Sequence, residues 1–258
     1  MRKLLFSLLL VLSPVILKGI VNSQKLLNLY QQEFDSIEGW FYRSTIDILI
    51  KLDKLQRKKN ITGNLAEIGV FHGKTFILLY LLSNPNEQVL AVDCFDMQQF
   101  NYDNSGPGCK LNSFINNVKK YCDPLLSKLE IIQGDTTVLT AKDYLGKCKN
   151  GLPFRMFSID GSHQALQTEL DAENALKSLS IGGIIMVDDF FNYSWPGVSN
   201  GISKFLINHP EIKPFYIGFN KMLLTHKEFA DEYRNHIKIF YEPLREAVFF
   251  DSTVAIYE

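Results

Sequence analysis

The sequence has few cysteines and no excess of either charge, and both absences exclude classes of protein. Its 258 residues include 27 Lys and Arg against 28 Asp and Glu, a formal net charge of -1. A chain this neutral has no overall attraction for nucleic acid or anionic lipid, so we expect neither as its main partner. The four cysteines show no CxxC spacing and no neighbouring histidine. This pattern argues against a zinc knuckle and predicts reduced thiols in a cytoplasmic protein.

No repeat, low-complexity stretch or Gly/Ser-rich linker divides the chain, and 46% of its residues are hydrophobic. This composition predicts a globular protein with a large core. An N-terminal apolar run, residues 4–17, is shorter than the about 20 residues that span a bilayer, and Pro14 interrupts it. Because Arg2 and Lys3 precede it, the run also resembles a secretory signal. We interpret it as a helix that packs on the domain or at an interface, with a secretory signal or membrane contact by residues 1–20 as the alternatives.

Short apolar segments alternate with helical ones along most of the chain. Apolar residues at helical spacing predict two N-terminal helices within residues 24–58, separated near residues 38–42. Strands are predicted at 64–70, 88–93, 129–133, 154–159 and 182–187, followed by a hairpin at 214–219 and 221–225. The alternation predicts the α/β class, with a doubly wound, mostly parallel, seven-stranded sheet and extra N-terminal helices. We divide the chain into a helical segment, residues 1–59, and a domain, residues 60–258.

Polar residues follow the predicted parallel strands at the points where the strands end. In a parallel sheet these carboxyl ends lie along one edge, and ligands bind in the crevice outside it. The acids at these positions are Glu67, Asp93, Asp135, Asp160, Asp188 and Asp189. Any one of them alone is compatible with capping the following helix. A complete row of acids favours a binding edge instead.

The turn after the first predicted strand contains Glu67, Gly69, Gly73 and Thr75. The glycines let a ligand approach the backbone closely, and the start of the next helix offers free N–H groups. The spacing is GxxxG, so the middle glycine of the dinucleotide fingerprint GxGxxG is missing. The turn therefore favours contact with an amino acid and a ribose over a pyrophosphate cradle.

Three of the acids match three parts of such a ligand. Glu67 suits the ammonium group of an amino-acid moiety, Asp93 suits a ribose diol, and Asp135 suits an adenine amino group. The ordered set Glu67-Ile-Gly69-x-x-x-Gly73, Val-Asp93 and Gly134-Asp135 is similar to the cofactor motifs of class I S-adenosylmethionine-dependent methyltransferases, over about residues 60–225. The resemblance implies S-adenosylmethionine as the cofactor. Its predicted binding residues are Glu67, Gly69, Gly73, Thr75, Asp93 and Asp135.

The fourth and fifth predicted strands end in Asp160 and in Asp188-Asp189. Because these strands are neighbours in a methyltransferase sheet, their ends lie ~5 Å apart. Carboxylates at that separation repel one another unless a cation is present or one of them holds a proton. Carboxylates and water are the ligands that Mg²⁺ prefers. We therefore predict Asp160, Asp188 and Asp189 as metal ligands, with direct substrate binding by the acidic pair as the alternative.

His163 follows Asp160 by three residues and can face the same edge. A metal lowers the pKa of a bound hydroxyl group, and a histidine can then remove the proton. This arrangement is similar to metal-dependent O-methyltransferases of the catechol and macrocin types. The catechol type has a lysine base where this sequence has His163, so the chain is closer to the macrocin type. The resemblance implies His163 and Asp160 as catalytic residues, with a helix-capping pair as the alternative.

These motifs predict a magnesium-assisted O-methyltransferase acting on a hydroxyl group of a small molecule, such as a sugar-containing metabolite. Residues 40–42, 101–106 and 190–197 contain aromatic and amide side chains that suit such an acceptor or, equally, pack as a lid. Asn192 is a candidate extra ligand or substrate contact. The alternatives are a metal-independent methyltransferase with His163 as base, an NAD(P)-dependent oxidoreductase, and a non-enzymatic binding protein. The sequence leaves a homo-oligomer open.

Overall fold

The computed structural model describes residues 24–103, 105–106 and 108–258. The N-terminal apolar run therefore lies outside the described residues, and its interpretation stays a prediction. Within the described ranges, every helix is too short or too polar to cross a membrane. All four cysteines are free thiols; three are buried and Cys94 is half-buried.

Helices and strands alternate along the chain as the apolar pattern predicts. The helices are residues 24–32 (α1), Arg43–Lys58 (α2), Lys74–Leu82 (α3), Leu111–Tyr121 (α4), Ala141–Lys147 (α5), Ala165–Ser178 (α6), Pro196–Asn208 (α7) and Lys227–Lys238 (α8). The strands are Asn64–Ile68 (β1), Val89–Asp93 (β2), Leu129–Gln133 (β3), Phe154–Ile159 (β4), Leu179–Asp188 (β5), Ile212–Gly218 (β6), Lys221–His226 (β7), Arg245–Phe249 (β8) and Ser252–Ile256 (β9).

The strands form one mixed sheet in the order β3-β2-β1-β4-β5-β7-β6-β9-β8. Strands β1 to β5 are parallel, and β7 runs antiparallel between β5 and β6. The predicted fold class is confirmed, but the sheet of the described chain has nine strands where seven were predicted. Strands β8 and β9 were both missed, and for β8 there is a physical reason. β8 is an exposed edge strand that begins with Arg245 and Glu246, so it has no buried apolar run to read.

Two hydrophobic clusters cover the two faces of the sheet. Successive residues of one strand point to opposite faces, so Leu65 of β1 joins one cluster and Ala66 joins the other. Both faces of β1 and β4 are buried, as in other parallel sheets flanked by helices. Leu49 and Leu52 of α2 lie in the same cluster as Leu65. The described N-terminal helices therefore share the core of the sheet and lie over one of its faces.

Candidate active site

A cleft of about 890 Å³ opens along the carboxyl ends of the parallel strands. All but one of the predicted site residues border it; Gly73 instead begins α3 behind it. The two tryptophans of the chain, Trp40 and Trp195, also border the cleft. The bordering residues predicted from the sequence are Glu67, Gly69, Thr75, Asp93, Asp135, Asp160, His163, Asp188 and Asp189.

The turn after β1 depends on two glycines in the left-handed region. Gly69 has φ +76°, and a β-carbon there would overlap the backbone carbonyl of Asp160. The end of β1 can thus lie against the end of β4 only because this position has no side chain. Gly73 has φ +88° and is the N-cap of α3, and Thr75 in the first turn is buried beside the cleft. This geometry leaves the free N–H groups of the helix start near the ligand edge.

Glu67 is a buried acid at the base of the cleft. Ser158 Oγ donates to its Oε1 at 3.3 Å, whereas Oε2 is buried without a hydrogen-bond partner among the described residues. Burial raises the pKa of Glu67 to about 8. A buried carboxyl with an unused oxygen is costly unless a ligand supplies a partner, so Glu67 is ready to accept a hydrogen bond from a bound cation.

Asp93 and Asp135 end the next two strands and differ in their contacts. Asp93 accepts backbone N–H groups from Phe71 at 3.0 Å and Phe95 at 2.7 Å, and burial raises its pKa. Each of its oxygens keeps a lone pair for a further donor. Asp135 accepts the N–H of Thr137 at 2.8 Å and the hydroxyl of Tyr102 at 2.7 Å. Asp135 therefore caps a short helical turn and borders the cleft at the same time.

Asp160, His163 and Asp189 lie together at the ends of β4 and β5. One ligand atom from each lies within 4.8 Å of the others. Burial raises the pKa of Asp160 well above its ordinary value, and the negative charge of Asp188 raises it further. A nearby cation would favour the charged form of this acid and oppose that shift.

Asp188 lies beside Asp160 but has different partners. Lys221, directly opposite Asp188 in the antiparallel β5–β7 pair, donates to Asp188 Oδ2. Asp188 Oδ1 accepts from Asn220 Nδ2 at 3.0 Å and from the backbone N–H of Asp189 at 2.9 Å. Of the three predicted metal ligands, Asp160 and Asp189 thus share a cluster with His163, while Asp188 is engaged by a lysine.

His163 lies between two carboxylates and against an aromatic ring. Its Nδ1 is 2.9 Å from Asp103 Oδ2, its Nε2 is 3.2 Å from Asp189 Oδ2, and its ring stacks on Trp195 at 4.2 Å. Burial alone would lower the pKa of His163, but hydrogen bonds to Asp103 and Asp189 outweigh it and raise the pKa to about 9. His163 is therefore charged at neutral pH in the free protein.

Asp189 is fixed in position by amide donors. Its backbone has φ +60°, and its Oδ1 accepts from Asn192 Nδ2 at 2.7 Å and from Asn220 Nδ2 at 2.6 Å. These contacts leave Oδ2 for His163 and the cleft. Asn192, predicted as a ligand or substrate contact, serves here to orient Asp189.

The three segments predicted to cover the site all contribute residues to the rim of the cleft. Trp40 stacks on Phe71 of the glycine turn at 5.7 Å, and Lys74 Nζ donates to the Gly39 carbonyl at 3.1 Å. On the opposite side, the Tyr193 side chain is 95% exposed. The rim is thus aromatic, and on the Trp40 side it contacts the glycine turn after β1.

Sequence reasoning missed two partners that define this site, Lys221 and Asp103. Lys221 follows a hairpin turn, and only the register of β7 against β5 places it at Asp188. Asp103 was assigned to an acceptor loop, but the loop folds back so that its carboxylate accepts the His163 backbone N–H at 2.6 Å. The only available signal was an acid in a polar loop, which is too common to identify a partner.

Comparisons with known proteins agree with this geometry. Residues 66–190 match a family model described as "Methyltransferase domain". The fold is similar to that of the O-methyltransferase NovP, with a TM-score of 0.56, 15% identity, and 70% of this chain and 79% of that chain covered. It is also similar to cofactor-bound Rv0187 from MTB, with a TM-score of 0.50, 15% identity, and 83% and 96% covered. No curated protein matches the sequence.

The family match spans the glycine turn, the acids after β2 and β3, and the cluster after β4 and β5. The same residues border the cleft in the structure. Residues 66–190, a little under half of the chain, therefore resemble a methyltransferase domain, and the fold is similar to that of a known O-methyltransferase.

Proposed function

We propose that the protein transfers the methyl group of S-adenosylmethionine to a hydroxyl group of a small molecule. The observation that carries this proposal is the convergence, in one cleft, of a row of acids suited to the donor and the Asp160–His163–Asp189 cluster beside it. Because donor and acceptor are then held as neighbours, positioning supplies a large part of the acceleration.

The donor side follows from the acids after β1, β2 and β3. Glu67 Oε2, which lacks a partner among the described residues, accepts from the donor's ammonium group. Asp93 uses its remaining lone pairs for the ribose hydroxyls, and Asp135 lies beside the adenine. Gly69, Gly73 and Thr75 form the turn along which the amino-acid part of the donor lies. The cationic donor also offsets part of the negative charge of the cleft.

A divalent ion fits part of the acidic cluster. Asp160 offers a carboxyl that forms no direct ion pair among the described residues, and Asp189 offers Oδ2, so these two residues would hold Mg²⁺ with water completing the octahedron. Asp188, bonded to Lys221, does not fit as a third ligand without loss of that ion pair. When bound, the ion would supply Lewis-acid polarisation that lowers the pKa of the acceptor hydroxyl.

His163 is the base of the proposed reaction. Asp103 holds Nδ1, so Nε2 faces Asp189 and the cleft. Neutral His163 takes the hydroxyl proton at Nε2 while the acceptor oxygen forms its bond to the methyl carbon and the carbon–sulfur bond breaks. S-adenosylhomocysteine leaves, and the proton passes from His163 to solvent. The pKa of about 9 requires loss of a proton from His163 before each turnover.

The aromatic rim supports a sugar-containing or phenolic acceptor. Trp40, Tyr193 and Trp195 offer ring faces, and Asn192 adds an amide group at the same edge of the cleft. Rings next to hydrogen-bonding groups suit ligands that are partly apolar and partly hydroxylated. A sugar-containing metabolite is our preferred acceptor class.

Methyl transfer from radiolabelled S-adenosylmethionine to a panel of glycosides and phenols tests the proposal. We expect label in at least one hydroxylated acceptor, loss of transfer in Asp160→Asn, and loss in excess chelator that Mg²⁺ reverses. Transfer that persists in chelator favours the metal-independent alternative, which Lys221 supports because it already places a cation in the cluster. Tight binding of NAD(P) without binding of S-adenosylhomocysteine would contradict the proposal in favour of an oxidoreductase.

A further inference from the structure

Lys221 is a buried cation that the proposed reaction does not use. It is the first residue of β7, its side chain is 1% exposed, and Asn220 borders the cleft while Lys221 lies beneath. Lysine is almost never fully buried unless it is paired. We therefore expect Lys221 to balance negative charge in the site.

The surroundings of the Lys221 ammonium are acidic on one side and aromatic on the other. Nζ donates to Asp188 Oδ2, and the Phe41 ring centre lies 5.5 Å from Nζ. Burial alone would lower the pKa of Lys221, but the charges of Asp188, Asp160 and Glu67 outweigh it and raise the pKa. The ammonium thus stays charged and adds one positive charge beneath a group of acids.

Asp188 and Asp160 differ in whether their carboxylate oxygens are free to bind a ligand. Asp188 accepts from Lys221, from Asn220 and from the Asp189 backbone, so both of its oxygens are engaged. Asp160 has no comparable set among the described residues; the group in hydrogen-bonding contact with its carboxyl is Asp188 itself. A cation entering from the cleft would meet Asp160 and Asp189 first, and would gain Asp188 only by breaking a buried ion pair.

We propose that Lys221 is a positioning residue that reserves Asp188, so that a divalent cation in this cleft is held by Asp160 and Asp189 alone, and that removal of the ammonium converts Asp188 into a third ligand. The inference rests on the proposed function for the presence of a metal but not for the donor or acceptor. In this arrangement the Lys221 ammonium neutralises one of the negative charges that a metal would otherwise neutralise. The ion is therefore held weakly and exchanges readily.

Titration of the full chain with Mn²⁺, followed by electron paramagnetic resonance, tests the assignment. We expect Lys221→Met to tighten Mn²⁺ binding at least tenfold, because three carboxylates then face the ion without an internal cation. Asp188→Asn in the natural chain should weaken Mn²⁺ binding only in part, because it leaves the Lys221 charge unpaired, whereas Asp160→Asn should abolish binding. Lys213→Met is the matched control: this lysine donates to the Phe250 carbonyl, away from the acids, and its loss should leave Mn²⁺ affinity unchanged.

Stability provides a second readout, since Lys221→Met leaves Asp188 buried without its partner. We expect this variant to melt at a lower temperature in chelator and to regain stability when Mg²⁺ is added. The double variant Lys221→Met with Asp188→Asn removes both charges and should show no gain from Mg²⁺ beyond that of the natural chain. A merely structural lysine would give a loss of stability that Mg²⁺ does not repair.

Binding of S-adenosylhomocysteine, measured on the same samples, separates the two proposals. Donor binding with no difference in Mn²⁺ affinity between the natural chain and Lys221→Met would overturn the role of Lys221 and leave the donor site standing. Absence of Mn²⁺ binding in every variant would overturn it equally, as would an Asp188→Asn variant that loses Mn²⁺ as completely as Asp160→Asn. Tighter Mn²⁺ binding without donor binding would support Lys221 and contradict the methyltransferase proposal.

Discussion

Strand β4 has buried charged residues near both of its ends, but only those near the amino end are fully balanced by residues of opposite charge. Near the amino end, the fully buried Arg155 donates to Glu87 Oε1 at 2.8 Å and to Gln56 Oε1 at 2.8 Å. At the carboxyl end, Asp160 faces another acid, Asp188. The first arrangement satisfies every charge within the protein, whereas the second leaves negative charge for a ligand to neutralise. Paired buried charges hold the fold together, and an excess of one sign marks the place where chemistry occurs.

The pKa values of two buried glutamates, Glu87 and Glu67, differ in the same way. Burial tends to raise the pKa of both, but hydrogen bonds from Arg155 outweigh it at Glu87, and the pKa of Glu87 lies below its ordinary value. Glu67 has no arginine, and its pKa rises to about 8. Because the two residue types are identical and both are buried, the difference lies in the partners that the fold supplies to each. Substitutions at the two ends should therefore have different consequences.

The largest effect is expected at the amino end. Arg155→Met leaves Glu87 buried without its cation and removes one of the two arginine partners of Asp53, which lies 2.9 Å from Arg155 and 2.7 Å from Arg57 in the natural chain. We expect the free energy of unfolding to fall by about 3–5 kcal/mol, measured by urea denaturation. Lys204→Met, which breaks an ion pair between Lys204 and Glu169 on the surface, is the control and should cost less than about 1 kcal/mol. Equal losses from the two variants would contradict the comparison.

At the carboxyl end, Asp93→Asn should weaken ligand binding more than it weakens the fold. The amide keeps one acceptor oxygen but loses the charge that strengthens hydrogen bonds to ribose hydroxyls. Loss of charged hydrogen bonds costs about 1.5–3 kcal/mol, so we expect S-adenosylhomocysteine to bind about 10–100-fold more weakly by calorimetry. Unchanged affinity in a variant that melts like the natural chain would remove Asp93 from the donor site.

Asp160→Asn should raise stability rather than lower it. The pKa of Asp160 is raised in the folded state, so the folded chain binds the proton more tightly, and ionisation of the group opposes folding as pH rises above about 3.9. The amide carries no such cost. In chelator at neutral pH we expect the free energy of unfolding to rise, as measured by urea denaturation. A fall would show that Asp160 serves the fold in the way that Glu87 does.

The smallest effect concerns the charge of His163. With its pKa raised to about 9, His163 contributes stability that is fully present below the unfolded value of about 6.5 and is lost as pH rises through about 9. Nuclear magnetic resonance of the imidazole in the metal-free chain should give a midpoint near 9. Asp103→Asn removes the partner of Nδ1 and should lower the midpoint by about one unit. A midpoint near 6.5 in both proteins would contradict the ion pairs.

The sequence allowed prediction of the features that depend on local pattern. Apolar runs located the first seven strands, and the acids that end the parallel strands were placed on one edge because such strands end together. Features that depend on register or on long loops were not accessible. Lys221 meets Asp188 through an antiparallel pairing 33 residues apart, and Asp103 reaches His163 across 60 residues. Strand β8 was missed because an exposed edge strand lacks the buried apolar pattern, whereas the short strand β9 is largely buried and was overlooked.

In the proposed reaction, a sulfonium nucleoside and a divalent ion share the acidic carboxyl edge of the sheet. A crystal of the full chain soaked with S-adenosylhomocysteine and Mn²⁺ tests it most directly. We predict ribose density at Asp93, with an anomalous Mn²⁺ peak between Asp160 and Asp189 and the Lys221–Asp188 pair intact beneath it. Nucleoside density away from Asp93, or no Mn²⁺ at the ends of β4 and β5, would contradict the account.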